Sequence, residues 1–141
     1  MGYGPRSYSR KLLPGDLRST AEAGGTDCDW WRFEGNLWPC SRVESAVGYD
    51  RSEVMIAPTT FEEMRPGCYD AKARLEDMDD AHTEVQLMFP STFPRFCGQR
   101  FSLAQDKELG LACLQAYNDW LVEEWCGDSG GRLVPLALVP L

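Results

Sequence analysis

Residues 131–141 read GRLVPLALVPL, and this near-continuous apolar run is the stretch that decides the fold. Strands of a parallel sheet that are buried on both faces have this composition, and each is normally followed by a crossover helix that packs back on the sheet. No helix follows this run. It therefore predicts a strand over 132–139 of an α/β sheet, with further chain expected after it.

The elements before this run alternate between helix and strand. Apolar residues at helical spacing predict a helix over 69–81, and the alternating segment 84–89 predicts a strand. After a loop, Asp106 is expected to cap a helix over 106–126, with Gly127 following its end. Helix, strand, helix and strand in this order are typical of a βα barrel or a doubly wound sheet.

An incomplete sheet leaves apolar side chains without cover. The last strand holds the side chains that later strands and helices would normally cover, namely Leu133, Val134, Leu136, Leu138 and Val139. Each large apolar side chain that stays exposed forfeits about 1.5–3 kcal/mol. We therefore expect a marginally stable chain that is sticky, with self-association through an exposed strand, or that depends on a partner.

The N-terminal part divides near residue 28. Residues 1–28 are rich in Gly, Ser, Arg and Pro and predict disorder. Residues 29–40 predict a β-hairpin, with turn chemistry supplied by Gly35 and Asn36. Its aromatic side chains suggest either a stacking platform for nucleic acid or a hairpin that packs inward, and the interleaved acidic residues favour packing; they are Trp30, Trp31, Phe33 and Trp38.

Composition excludes several classes of function. The balance of 14 basic and 22 acidic residues gives a net charge of −8, which argues against binding the nucleic-acid backbone. No apolar run reaches the roughly 20 residues of a membrane helix. The six cysteines lack the spacing of a zinc knuckle, and the N-terminus has no export signal, so reduced thiols in the cytoplasm are predicted.

The only histidine, His82, has two readings. A metal site would need partners at ligand spacing, and the sequence offers no second histidine. At the end of the predicted helix 69–81, however, histidine is among the residue types that tolerate a left-handed backbone. The structural reading is favoured.

Several segments in order carry a family resemblance. They are FEEMRPGCYDAKARLEDMDDAHTEVQLMFPS, RFCGQ, YNDWLVEEWCG and GRLVPLALVPL. The chain resembles the N-terminal third to half of the amidohydrolase-related family, a branch of the amidohydrolase superfamily that includes aminocarboxymuconate-semialdehyde decarboxylase. The resemblance implies that 29–141 form an incomplete TIM (β/α)8 barrel of the metal-dependent hydrolase type, with 84–89 and 132–139 as its second and third strands and the 29–40 hairpin as an insertion after the first strand.

The resemblance also implies the chemistry of a parent enzyme. Relatives use a divalent metal, usually zinc, to hydrolyse or decarboxylate a small organic acid. Their acidic-x-His motif on the first strand has no counterpart here, and their other ligands would lie beyond Leu141. No metal ligand or catalytic residue is therefore assigned, and the chain alone is expected to be inactive. Because barrel enzymes bind substrates where the strands end, a substrate-pocket rim is expected there. It would include Phe89, Ser91, Phe93 and Arg95 after the strand 84–89, and Leu141 after the last strand. The alternative is a loop that only covers the mouth of the barrel.

Two other hypotheses remain open. The chain could be a complete, non-enzymatic α/β domain that binds a protein partner through the aromatic hairpin and its acidic surface. It could also be a degenerate gene remnant, which the genomic DNA on both sides would separate from a fragment of an interrupted gene. The last strand separates a fragment from a complete domain, because a complete domain covers that strand and a fragment leaves one edge and one face bare.

Overall fold

The computed structural model describes residues 28–46, 50–52, 54 and 59–140, and these form a mixed α/β structure. The strands and α-helices are β1 Trp30–Phe33, β2 Asn36–Pro39, α1 Ala71–Asp80, β3 Gln86–Met88, α2 Gln99–Ser102, α3 Lys107–Trp120 and β4 Leu133–Pro135. Short 3₁₀ turns lie at Arg42–Ser45, Phe61–Glu63, Pro66–Cys68 and Phe96–Gly98, and a π-helical turn, Leu121–Trp125, extends α3. Among the described residues, the strands make two sheets of two strands each, and neither sheet is a closed barrel. The disorder expected for 1–28 falls, apart from Cys28, outside the described residues.

Strands β3 and β4 are parallel neighbours, joined by a crossover that contains α3. The register places Gln86 opposite Leu133 and Met88 opposite Pro135. One further bond precedes the ladder, because the Gln86 N–H donates to the Arg132 carbonyl at 2.8 Å. The helix and strand order of the sequence thus produces a parallel βαβ unit, which is the α/β arrangement expected from it.

The observed strands are shorter than the predicted 84–89 and 132–139. Pro135 has no N–H to donate, and the last contact of the ladder is the long 3.4 Å bond from the Leu136 N–H to the Met88 carbonyl. After this last bond of the ladder, the side chain of Asn118 in α3 makes the kind of backbone hydrogen bonds to Leu138 that a neighbouring strand would make. Its Nδ2 donates to the Leu138 carbonyl at 2.9 Å, and its Oδ1 accepts from the Leu138 N–H at 2.8 Å.

One face of the β3–β4 sheet is buried by other parts of the chain, and the other face is largely exposed to solvent among the described residues. Leu133 and Leu138 are each only 2% exposed and belong to the main core, against which Met88 also packs. The expectation that these two side chains would lack cover was therefore wrong, because residues of α3 share the same buried cluster. On the other face, Val85 and Leu87 are each 53% exposed and Phe89 is 66% exposed. The α3 side of the sheet is therefore covered, whereas an apolar face on the other side is open among the described residues.

A single hydrophobic cluster unites the hairpin, the helices and strand β4. The core excludes water well enough that burial, aided by the charge of Cys126, raises the pKa of Tyr117 to about 12. Cys68, Cys97 and Cys126 are free thiols. The buried members of the cluster are Phe33, Met78, Phe93, Phe101, Ala104, Cys113, Leu114, Tyr117, Leu121, Trp125, Cys126, Leu133 and Leu138.

Helix α1 lies within the predicted range 69–81. Asp70 caps its first turn by accepting from the Ala73 N–H at 2.8 Å. His82 follows the helix with φ of 52°, so the left-handed position predicted for it is confirmed. The exposed imidazole stands at the turn toward β3.

Arg132 attaches the start of β4 to that turn. Its guanidinium donates to the carbonyls of Thr83 and Glu84 at 3.0 and 3.1 Å, and it pairs with Asp79 at 2.8 Å. These contacts fix the register in which β4 meets β3.

The hairpin β1–β2 forms where it was predicted, but its turn lies one residue earlier. Phe33 pairs with Asn36, so Glu34 and Gly35 are the two central residues, with φ of 48° and 76°. A two-residue turn of this type requires positive φ at both central positions, which glycine adopts readily. Gly35, predicted to supply turn chemistry, is thus a central residue, whereas Asn36 is the first residue after the turn. Asn36 donates its side-chain amide to the Glu34 carbonyl.

The hairpin aromatics pack inward. Trp31 stacks on Phe93 with ring centroids 4.9 Å apart, and Phe33 meets Phe101 edge to face at 5.7 Å. Edge-to-face and offset ring pairs contribute beyond the area that they bury. These rings form part of the core, which agrees with the packed hairpin favoured from the sequence.

Helix α3 begins as predicted and ends in a wider turn. Asp106 accepts from the Leu109 N–H at 3.0 Å, which confirms its capping role. The predicted range 106–126 is filled by the α-helix and then the π-helical turn, in which the Cys126 N–H reaches the Leu121 carbonyl. Gly127 follows the end of this turn, where a Cβ would lie 2.3 Å from the Glu123 carbonyl oxygen.

Replacing Asn118 with Asp should destabilise the fold. The change removes the donor to the Leu138 carbonyl and places a carboxylate oxygen against that carbonyl, which should cost about 1–3 kcal/mol. Urea unfolding monitored by tryptophan fluorescence measures the difference. Gln115→Glu, the same amide-to-carboxylate change at an exposed position of α3, is the matched control. Equal losses in the two variants would show that Asn118 does not hold the last segment.

Candidate functional site

The candidate site is the loop that leaves the carboxyl end of β3 and leads to α2. Ligands of α/β proteins bind at the carboxyl ends of parallel strands, because the loops there are free to vary without disturbing the sheet. The chain leaves the strand at Phe89 and Pro90, exposes Ser91 and Thr92, and then returns to the core at Phe93.

A shallow, open depression of about 350 Å³ lies on this loop, near the lower end of the range for small-molecule sites. Two phenyl rings stand at it in the open: Phe89 is 66% exposed and Phe96 is 76% exposed. The polar residues that line it are Ser91, Thr92 and Arg95. The depression is lined by Phe89, Pro90, Ser91, Thr92, Arg95 and Phe96.

Three of the four residues predicted for a pocket rim lie together at this depression. They are Phe89, Ser91 and Arg95. Phe93 points elsewhere, since it is 5% exposed and packs between Trp31 and the rest of the core. Leu141, the residue expected after the last strand, lies outside the described residues. Whether these residues form a substrate rim stays a prediction.

Sequence reasoning missed three of the lining residues. Pro90 and Thr92 lie between predicted ones, so their proximity follows from the chain itself. Phe96 is different, because its exposure depends on the backbone of Arg95, whose conformation no sequence pattern reveals. The one available signal is the pair of phenylalanines flanking Pro94 and Arg95, of which one turns inward and the other outward.

The backbone at Arg95 is strained. Its φ and ψ are 62° and 176°, a region that is populated almost only by glycine. Cys97 and Gly98 follow with φ of 53° and 72°. Gly98 is required here for a second reason, since a Cβ would lie 3.0 Å from the side chain of Leu138. The loop reverses tightly and is held against the last segment of the chain.

The side chain of Arg100 joins the loop to the hairpin through contacts with Phe93 and Trp38. Its guanidinium lies 4.0 Å from the ring centroid of Trp38 and 5.0 Å from that of Phe93, and its Nε donates to the Phe93 carbonyl. Burial and, to a smaller extent, the positive charge of Arg95 lower the pKa of Arg100. The two guanidinium groups are thus close enough to affect each other.

The segment that forms the depression carries no acidic residue of its own. The sequence contains 22 acidic residues, yet none lies between positions 85 and 105, where Arg95 and Arg100 are found. Among the ion pairs of the described residues, none involves Arg95. Arg95 is thus an exposed basic residue of this loop.

Among the described residues, two arrangements that would support catalysis at this loop are not found. The described residues contain no group of three or more His, Cys, Asp or Glu side chains that could hold a metal ion. The residues present therefore do not fit the divalent metal that the family resemblance implies. The hydrogen bonds of the described residues include none that joins Ser91 to a base, which a serine nucleophile needs. The geometry suits binding.

Replacing Arg95 with Gly should stabilise the fold by about 1 kcal/mol or more, because glycine adopts this backbone conformation without a Cβ clash. Arg95→Ala is the matched control, since it removes the same guanidinium but keeps the Cβ. Thermal and urea unfolding of the two variants separate the effects. Equal stability of the Gly and Ala variants would show that the backbone at this position is not strained.

Comparison with known proteins leaves the family unassigned. No protein-family model matches the chain, and no curated protein sequence matches it significantly. No helix of the described residues has both the length and the apolar character to cross a membrane. The family resemblance therefore rests on the quoted segments, and function is argued below from the geometry.

Proposed function

We propose that this chain forms part of the wall and of the substrate rim of a (β/α)8-barrel enzyme of the amidohydrolase-related family. The parent enzyme would be a cytoplasmic, metal-dependent hydrolase or decarboxylase that acts on a small organic acid. The observation that carries the proposal is the unequal cover of the β3–β4 sheet. One face packs on α3, and the other presents Val85, Leu87 and Phe89 to solvent.

A barrel wall has this pattern. In a (β/α)8 barrel each strand is covered outside by helices and inside by the side chains of the other strands, so both faces are apolar. Leu87 and its neighbour in register, Val134, lie on the face away from the core cluster. In the proposed barrel these two side chains would belong to the interior layers.

The position of the depression agrees with this arrangement. Parallel strands direct their carboxyl ends to one rim, and barrel enzymes bind their substrates there. The depression begins at Phe89, directly after β3, and includes the cation Arg95. A cationic rim suits an organic acid, which must be held by its carboxylate.

The metal would have to be held by residues other than those described. In such enzymes the ion polarises the substrate and activates water. Since the described residues contain no suitable cluster, we assign no step of the reaction to this chain. Its part in the parent enzyme is to hold and orient the substrate.

The alternative of a protein-binding domain loses its main support. That hypothesis relied on the aromatic hairpin, but Trp31, Phe33 and Trp38 pack with the core. The exposed apolar side chain of the hairpin is Leu37, at 43% exposure. A single exposed leucine is ordinary for a protein surface and does not indicate an interface.

The open sheet face predicts self-association. Strand β3 has one partner, β4, among the described residues, and Pro135 blunts the free edge of β4. The chain should therefore associate as its concentration rises, and Leu87→Lys should shift it toward monomer. Leu111→Lys, at a leucine of equal exposure on α3 (50% against 53%), is the control. A monomeric wild-type chain in sedimentation velocity up to millimolar concentration, or equal effects of the two variants, would contradict the proposal.

The proposal that the chain belongs to a larger metal-dependent enzyme is tested by sequencing the genomic DNA that flanks the coding sequence. Codons upstream for an acidic-x-His strand, or histidine codons downstream, are expected. A protein that includes them should bind zinc and lose activity toward an organic acid when a chelator is added. Stoichiometric, tight zinc in the 141-residue chain alone, measured by mass spectrometry, would instead show that metal ligands lie within it.

A further inference from the structure

We propose that the free edge of β3 pairs with β3 of a second copy of this chain, in an antiparallel register centred on Leu87, and that the pair is a closed two-fold dimer. The surface concerned is the strand edge over 84–90. In the parent enzyme proposed above, another strand of the barrel would pair with this edge, so the inference concerns the 141-residue chain. It uses the contacts of this segment alone and does not rest on the proposed function.

Backbone groups along the outer edge of β3 are available for pairing. The bonds toward β4 use the N–H of Gln86 and the carbonyl of Met88. Successive residues of a strand direct their N–H and C=O groups to opposite edges, so those of Leu87 point away from β4. Among the described residues, no hydrogen bond outside the ladder engages the backbone of Val85, Leu87 or Phe89. Each copy therefore offers three N–H and three C=O groups along one edge.

A second copy fits this edge because the edge is complementary to itself. In an antiparallel pair with Leu87 opposite Leu87, Val85 lies opposite Phe89 of the other copy, and each of these pairs exchanges two backbone hydrogen bonds. A register shifted by two residues would place Phe89 opposite Thr83, or Val85 opposite Ser91, beyond the apolar segment. The two-fold register is therefore the one that uses all the available groups.

The side chains on the open face support the same register. Val85 and Leu87 are each 53% exposed, and Phe89 is 66% exposed. The pairing would bring the two Leu87 side chains together and would set each Val85 against a Phe89 ring. Pairs of an aromatic with a β-branched side chain are among the favourable cross-strand pairs. The dimer would thus reduce the exposure of the apolar side chains that one copy leaves in solvent.

The charges near this edge also favour a second copy. Edge strands are commonly protected from pairing by charged side chains, yet residues 85–89 contain none on a chain whose net charge is −8. The exposed Glu84 would lie opposite Pro90 of the other copy, where the loop that contains Arg95 begins. That loop has no acidic residue before position 105. The pairing therefore brings Glu84 toward a basic segment rather than toward like charge.

The outer edge of β4 explains why association would stop at two copies. On the side of β4 away from β3, the Leu133 N–H already donates to the Ser129 hydroxyl at 3.2 Å, and Pro135 has no N–H. A two-fold pairing uses the same patch of both copies and leaves no further patch to fill. Dimers are therefore expected instead of fibrils or larger aggregates.

NMR of a mixture of isotope-labelled and unlabelled chain tests the register. Gln86 and Met88 of the other copy would form a pair without mutual hydrogen bonds, in which the Cα atoms are about 4.5 Å apart. An intermolecular contact between their α-protons is therefore expected in an isotope-filtered spectrum. Exchange of the Leu87 amide with solvent should slow about 10-fold or more between dilute and concentrated samples. Sedimentation equilibrium should show monomers and dimers alone.

Two substitutions of Leu87 separate the strand edge from the apolar face. Leu87→Ala shortens the side chain but keeps the N–H, whereas Leu87→Pro also removes the N–H, which the bonds toward β4 do not use. The proline variant loses two hydrogen bonds around the two-fold axis. Its dimerisation should therefore be weaker than that of the alanine variant by about 10-fold or more. Urea unfolding of dilute samples, followed by tryptophan fluorescence, checks that both variants fold.

Three results would overturn the proposal. They are equal dimerisation of the two folded variants, oligomers larger than two, and a dimer without the contact between Gln86 and Met88. A monomer whose Leu87 amide is protected at every concentration would overturn it as well, because another segment of the same chain would then occupy the edge. If Leu87→Pro fails to fold, the contact in the wild-type dimer decides the question by itself.

Discussion

The structure depends on the parallel pairing of β3 with β4. A parallel pair cannot be closed by a tight turn, so the chain between the strands must cross over, and here the crossover contains α3. The pairing places Leu133 in the core, where it is 2% exposed, beneath residues of that helix. Arg132 and Asn118 then fix the two ends of the segment through backbone carbonyls and N–H groups. The loop after β3 takes its position from the same pairing, because Gly98 packs against Leu138.

Much of this fold could be predicted from the sequence because its signals are local. The helical spacing of α1 and α3, the caps Asp70 and Asp106 and the left-handed His82 all act within a few residues. The lengths of the strands could not be predicted in the same way. An apolar run shows which residues avoid water, but it does not show that the ladder ends near Pro135. Nor does it show that the side chain of Asn118, 20 residues away in the sequence, bonds the backbone of Leu138.

The candidate site, like the fold, could be predicted from the sequence only in part. That residues after β3 would gather at its carboxyl end follows from topology, and Phe89, Ser91 and Arg95 do so. The reversal at Arg95 decides which phenylalanine lines the depression. This reversal turns Phe93 into the core and leaves Phe96 in solvent. Arginine rarely adopts this backbone conformation, so its residue type gives no indication of the reversal. The sequence therefore predicts where the depression lies better than it predicts which residues line it.

Two features of the chain oppose stability, and they lie next to each other. The open apolar face ends at Phe89, and the strained Arg95 lines the same depression as that residue. In a stable isolated domain, selection would favour a polar residue at the first position and glycine at the second. Strain and exposed apolar surface are retained where a ligand or further protein surface covers them. Because Phe89 belongs both to the open sheet face and to the depression, the barrel interior and substrate rim that we propose would account for the two features together.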